Sequence, residues 1–95
     1  MMELEIKFQA CNICDSLSRN INDNFNSVSF ELLNNGEIQI KIVLNELTHI
    51  EEEYIDDFIV EYSALQELNS VLKPIVEIGR SSPLKHIVYQ KIDEL

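Results

Sequence analysis

Val28-Ser29-Phe30-Glu31-Leu32-Leu33-Asn34-Asn35-Gly36-Glu37-Ile38-Gln39-Ile40-Lys41-Ile42 decides the fold class of this chain. Val28, Phe30 and Leu32 alternate with polar residues, as do Ile38, Ile40 and Ile42, and Leu44 continues the second run. That period of two reads as two half-buried strands around a turn. A two-residue Asn35-Gly36 loop would set Leu32 against Gln39 and Phe30 against Lys41. A three-residue loop sets Leu32 against Ile38, Phe30 against Ile40 and Val28 against Ile42, with Glu31 against Gln39 and Ser29 against Lys41 on the other face. Opposed residues share a face, so the three-residue loop is the consistent one. Gly36 then takes the left-handed position of a type I turn with a G1 bulge.

Upstream, Met2, Leu4, Ile6, Phe8 and Ala10 alternate with Glu3, Glu5, Lys7 and Gln9. The same period of two predicts a first strand. Ala10, Ile13, Cys14, Leu17 and Ile21 then adopt helical spacing, which predicts a short helix ending near Asn20, in the polar run Asn20-Ile21-Asn22-Asp23-Asn24.

Downstream, Thr48 and Glu51 have the spacing of a capping box. Ile50, Tyr54, Phe58, Leu65, Leu68 and Leu72 form an apolar stripe, widened by Ile55, Ile59 and Tyr62. Lys73-Pro74 is expected to stop or kink this helix. Gly79 ends a short following segment. Ser82-Pro83 has the form of an N-cap followed by Pro at N1, and Leu84, Ile87, Val88, Ile92 and Leu95 suit a last helix, with a strand as the alternative. The expected fold is therefore α+β: one domain over residues 1–95, elements in the order β-α-β-β-α-α, and a small three-stranded sheet with helices packed on one face.

Ninety-five residues with 45% apolar content suffice for one core. No window approaches the roughly 20 apolar residues of a membrane span. Nor does the N-terminal stretch carry the basic region of a signal peptide. Together with two cysteines, this favours a reducing cytoplasm. The formal net charge of -10 argues against nucleic acid as a partner, because a phosphate backbone requires clustered Lys and Arg.

Between Ile42 and Leu72 stand Glu46, Glu51, Glu52, Glu53, Asp56, Asp57, Glu61 and Glu67, with no Lys or Arg. On the predicted helix, Glu52, Glu53, Asp56 and Glu67 fall opposite the apolar stripe, and Asp57 and Glu61 sit at its border. Four like-charged pairs, Glu52/Asp56, Glu53/Asp57, Glu53/Asp56 and Asp57/Glu61, cost on the order of 1–2 kcal/mol together. An ordinary solvated helix interleaves the two signs. Simple solubility is one explanation for this arrangement. Pairing with Lys73, Arg80, Lys85 and Lys91 is a second. A docking face for a basic protein, with Glu51, Glu52, Glu53, Asp56, Asp57, Glu61 and Glu67 as its acids, is the third. By analogy of size and charge, small immunity proteins and nuclease inhibitors use such a face to block a basic toxin's nuclease cleft.

Cys11-Asn12-Ile13-Cys14 is a C-x-x-C placed by this reading at a strand-to-helix junction, where a thioredoxin-like fold carries its redox pair. A hairpin ahead of the long helix departs from that fold, which needs a βαβ crossover first. Both cysteines also fit the apolar stripe of the short helix, and free Cys is commonly buried. Zinc would require two further donors, and His49 and His86 each stand alone. There is no G-x-S-x-G, no P-loop and no calcium-loop pattern. The reading is a protein-binding module rather than an enzyme, with no metal or cofactor. A thiol-disulfide protein and a structural subunit, including a homodimer through an open sheet face or the hairpin edge, are the alternatives.

Overall fold

The computed structural model describes residues 2–66 and 70–91. It contains helix α1 (Met2–Leu17), strands β1 (Phe25–Leu32) and β2 (Ile38–Leu44), helix α2 (His49–Ala64), and strands β3 (Ile75–Ile78) and β4 (His86–Gln90). The α+β class holds, while the order is α-β-β-α-β-β and the sheet has four strands arranged β3-β2-β1-β4.

The hairpin forms in the three-residue register. Leu32 pairs with Ile38, Phe30 with Ile40 and Val28 with Ile42, and on the other face Glu31 pairs with Gln39 and Ser29 with Lys41. The Gly36 amide donates to the Leu33 carbonyl at 3.0 Å and the Leu33 amide to the Glu37 carbonyl at 2.8 Å. Gly36 has φ 86°, a conformation that costs a side-chain-bearing residue about 1 kcal/mol or more. Towards the start of β1 the register shifts. Phe25 lies opposite Leu44 and Ser27 opposite Val43, so Asn26 is the extra residue of a bulge. The bulge turns Phe25 to the core face, where simple alternation would have put Asn26.

Residues 2–10 form a helix, not the expected strand. Ile6 and Ala10 belong to both patterns, but Ile13 and Leu17 extend them at helical spacing, and all four pack into the core cluster. Leu4 and Phe8 remain 72% and 55% exposed. The segment is rich in Glu, Leu, Lys and Gln, which favour helix, and its inward positions accept polar Gln9 and Ser16, both fully buried. The Asn20 side chain closes the helix by donating to the Ser16 carbonyl at 2.8 Å.

The expected last helix is also absent from the described residues. His86–Gln90 instead pairs antiparallel with β1, consistent with the strand preference of Ile87, Val88 and Tyr89. Ile92 and Leu95 lie outside the described residues. Ser82-Pro83 caps no helix; it belongs to the connection from β3 to β4. Those two strands are the opposite edges of the sheet, so this connection crosses the face remote from the helices. Lys41 Nζ donates to the Ser82 carbonyl at 2.6 Å, and the Leu84 amide donates to Ser29 Oγ at 2.8 Å. Lys41 also pairs with Glu77 at 2.9 Å. Both edges of the hairpin are occupied, β2 by β3 and β1 by β4, which leaves neither free to join a second copy.

On the helix-bearing face, Val28, Phe30, Ile38, Ile40, Ile42 and Leu44 meet Ile13 and Leu17 of α1 and Ile55, Phe58 and Tyr62 of α2 in one buried cluster. Each such side chain contributes roughly 1.5–3 kcal/mol through burial. No helix among the described residues is long and apolar enough to cross a membrane.

Candidate protein-binding face

Helix α2 begins with the capping box read from Thr48 and Glu51. The Ile50 amide donates to Thr48 Oγ1 at 3.2 Å, and the Thr48 amide donates to Glu51 Oε1 at 2.7 Å. Glu51 does more than cap. Its Oε1 also accepts from the Thr48 hydroxyl at 2.6 Å, and its Oε2 accepts from Asn22 Nδ2 at 2.7 Å and Asn24 Nδ2 at 3.1 Å. Glu51 is 2% exposed. The Thr48 hydroxyl first, then the Asn22 amide, the Thr48 backbone and Asn24, hold its pKa down at about 2. The polar run that ends α1 is thus a latch onto the start of α2.

The buried stripe of α2 is Glu51, Ile55, Phe58 and Tyr62. It is rotated from the expected one, because Ile50 is 48% exposed. The helix also ends earlier, at Ala64 with Leu65 as C-cap, rather than at Lys73-Pro74. Beyond it the chain joins the sheet: Ile38 donates to the Ser70 carbonyl at 2.8 Å and Leu72 to the Ile38 carbonyl at 2.9 Å. These bonds tie the segment to the edge of β2 and spend Leu72 on the sheet, not on the helix stripe. Leu68 lies outside the described residues.

The seven acids read as a docking set separate into distinct environments. Glu52, Glu53, Asp56 and Asp57 are exposed on α2. Glu61 is half-buried, accepting from Arg19 Nη2 at 2.7 Å and Arg19 Nε at 2.9 Å through Oε1, and from Asn20 Nδ2 at 2.5 Å through Oε2. These donors, Asn20 foremost, lower its pKa. Glu51 faces inward, and Glu67 lies outside the described residues. Among the described residues the ion pairs are Arg19–Asp15, Arg19–Glu61 and Lys41–Glu77. Among the described residues no ion pair joins Lys73, Arg80, Lys85 or Lys91 to the four exposed acids.

Beside this face lies a feature that the sequence pattern did not indicate. Leu47, Ile55, Ile59, Val60, Pro74 and Val76 line an open apolar groove of about 640 Å³ between α2 and β3. Glu52 and Asp56 stand along its α2 wall, and Lys73 also borders it. A more polar hollow of about 460 Å³, near Asn26, Asn45, Arg80 and Lys91, occupies the other face of the sheet. Two of its donors are engaged: Asn26 Nδ2 reaches Asn45 Oδ1 at 2.9 Å, and Lys91 Nζ reaches the Asp23 carbonyl at 2.8 Å.

Cys11 and Cys14 lie well inside α1, not at a strand-to-helix junction; both are exposed, with the Cys14 thiol partly shielded against the Val88 carbonyl of β4 at 3.9 Å. The helix N-terminus that would stabilise a thiolate is more than two turns upstream. Burial, followed by the neighbouring Cys11, raises the Cys14 pKa. His49 is exposed at the start of α2, while the ring of His86 stands 5.1 Å from that of Phe30. No group of three His, Cys, Asp or Glu among the described residues could hold a metal ion.

Compared with models of known protein families and with curated proteins, the chain matches none.

Proposed function

We propose that this protein is a small cytoplasmic protein-binding module of the inhibitor or immunity type, which neutralises a basic, nuclease-like toxin through the outward face of α2. One observation carries the reading: Glu52, Glu53, Asp56 and Asp57 stand exposed on adjacent turns, and no ion pair reaches them among the described residues. The mutual repulsion of these acids costs helix stability. A basic partner would remove that cost and gain electrostatic steering. Glu51 and Glu61 support the face by holding the two ends of α2 to the loop after α1, through Asn22, Asn24, Arg19 and Asn20.

The test is a pull-down with the native protein beside the triple variant Glu52→Lys, Glu53→Lys, Asp56→Lys, followed by mass spectrometry of what is retained. A basic protein held by the native form and lost by the variant supports the reading. Equal retention by both forms would exclude the acidic face as the contact.

A further inference from the structure

We infer that the groove between α2 and β3 receives an amphipathic basic helix of the partner protein, with the partner's apolar stripe in the groove and its Lys or Arg side chains against Glu52 and Asp56. This inference rests on the reading of the acidic face as a protein-binding surface.

The groove lies in the helix layer beside α2, over edge strand β3. α1 and α2 cover β1 and β2, whereas the helix-side residues of edge strand β3 are incompletely covered. Val76 and Ile78 pair across from Ile42 and Leu44, and therefore point to the helix side, yet Ile78 is 53% exposed. Along the facing flank of α2, Val60 is 69% exposed, and Leu47 at the groove's end is 38% exposed. A floor of sheet and a wall of helix fit another helix of the same layer, set about 8–10 Å from its neighbour. From Glu52 to Val60 that wall is about 12 Å long, so roughly two to three turns of helix would fill it.

Charge selects the occupant. The charged side chains lining the groove are Glu52 and Asp56 on the α2 wall and Lys73 on the opposite side, so the lining is acidic on balance, and Glu53 and Asp57 add to it on the same exposed helix surface. An apolar trough with an acidic wall favours a helix that is apolar on one face and cationic along one flank. An acidic helix would meet like charge there.

The probe is a synthetic amphipathic helix of about 14 residues made of Leu and Lys, titrated into the isotope-labelled full chain and followed by amide chemical shifts. A Glu-for-Lys peptide serves as the control. Shifts should centre on Leu47, Ile59, Val60 and Val76. Val60→Asn and the pair Glu52→Lys, Asp56→Lys should each weaken binding at least about tenfold. Leu47→Asn is a second groove variant should Val60→Asn perturb the fold.

Shifts centred on Leu4 and Phe8, or none at about millimolar peptide, would overturn the groove as the docking site. So would native affinity in Val60→Asn and Leu47→Asn. Native affinity in the Lys pair would overturn the basic occupant. In the pull-down, loss of the partner with the charge-reversed triple variant but not with Val60→Asn would leave the acidic face standing and remove the groove.

Discussion

The Tyr62 hydroxyl of α2 donates to Gln9 Oε1 of α1, and both residues are fully buried. The same glutamine donates through Nε2 to Glu5 at 3.3 Å and Gln66 at 3.0 Å. The contact between the helices is therefore polar at its centre and apolar where both meet the sheet. Tyr62→Phe leaves Gln9 Oε1 without its donor and should cost about 1–3 kcal/mol in urea unfolding. In Tyr62→Phe, Gln9→Leu the unpaired acceptor is gone. The double variant should therefore lose less than the sum of the two single variants, and an additive result would show that the pair does not act as a unit.

Glu51 makes stability depend on pH in a definite direction. Its folded pKa of about 2 lies below the ordinary value of 4.5. Its stabilising contribution is complete above the unfolded value and is lost as pH falls from about 4.5 towards 2. Glu61 and Glu77, also lowered by their partners, act in the same sense. Comparing native protein with Glu51→Gln isolates the buried group. The variant should be less stable at pH 7 and the gap should narrow between pH 4.5 and 2, as read from urea midpoints.

Asp57 separates stability from binding. A Lys at this position would stand four residues after Glu53 and four before Glu61, replacing two repulsive contacts with attractive ones. Asp57→Lys should raise stability by about 0.5–1 kcal/mol while slowing association with the basic partner at low salt. A variant that is both less stable and unchanged in binding would contradict the account of this face.

The thiols should be unremarkable. Cys14 in a Cys11→Ser background should react with a disulfide reagent at neutral pH more slowly than a free cysteine peptide, since burial raises its pKa. Replacing both cysteines by Ser should change stability by no more than about 0.5 kcal/mol, because both are exposed. In the native protein, labelling of Cys11 faster than that of a free cysteine peptide would restore the redox alternative.

The parts of this fold that were legible in the sequence are those set by neighbours in the chain. The hairpin register follows from the pleat and from Gly36, and the capping box from Thr48 and Glu51. The exposure of Glu52, Glu53 and Asp56 follows from helical spacing alone, whereas Asp57, read at the border of the stripe, is exposed because the buried stripe is rotated. Long-range partners concealed the rest. Gln9 reads as an outward strand residue until Tyr62, far along the chain, supplies its hydrogen bond. Ser70 and Leu72 read as helix until Ile38 offers backbone partners. Phe25 has no place in the alternation until Asn26 bulges. The docking groove could not be read because β3 is needed to form one side of it.

The arrangement of the sheet has a consequence for how the chain folds. The central hairpin is local, but both of its margins are completed by residues 75–90, which lie far beyond it in sequence. Until that last segment docks, β1 and β2 present two bare rows of backbone donors and acceptors, an invitation to pair with other chains. The hairpin and α2 should form the folding nucleus, with β3 and β4 closing late. Substitutions in the hairpin should slow refolding, and those in β4 should chiefly speed unfolding. The strap from Gly79 to Lys85, which carries the chain from one margin to the other, then couples the sealing of both edges.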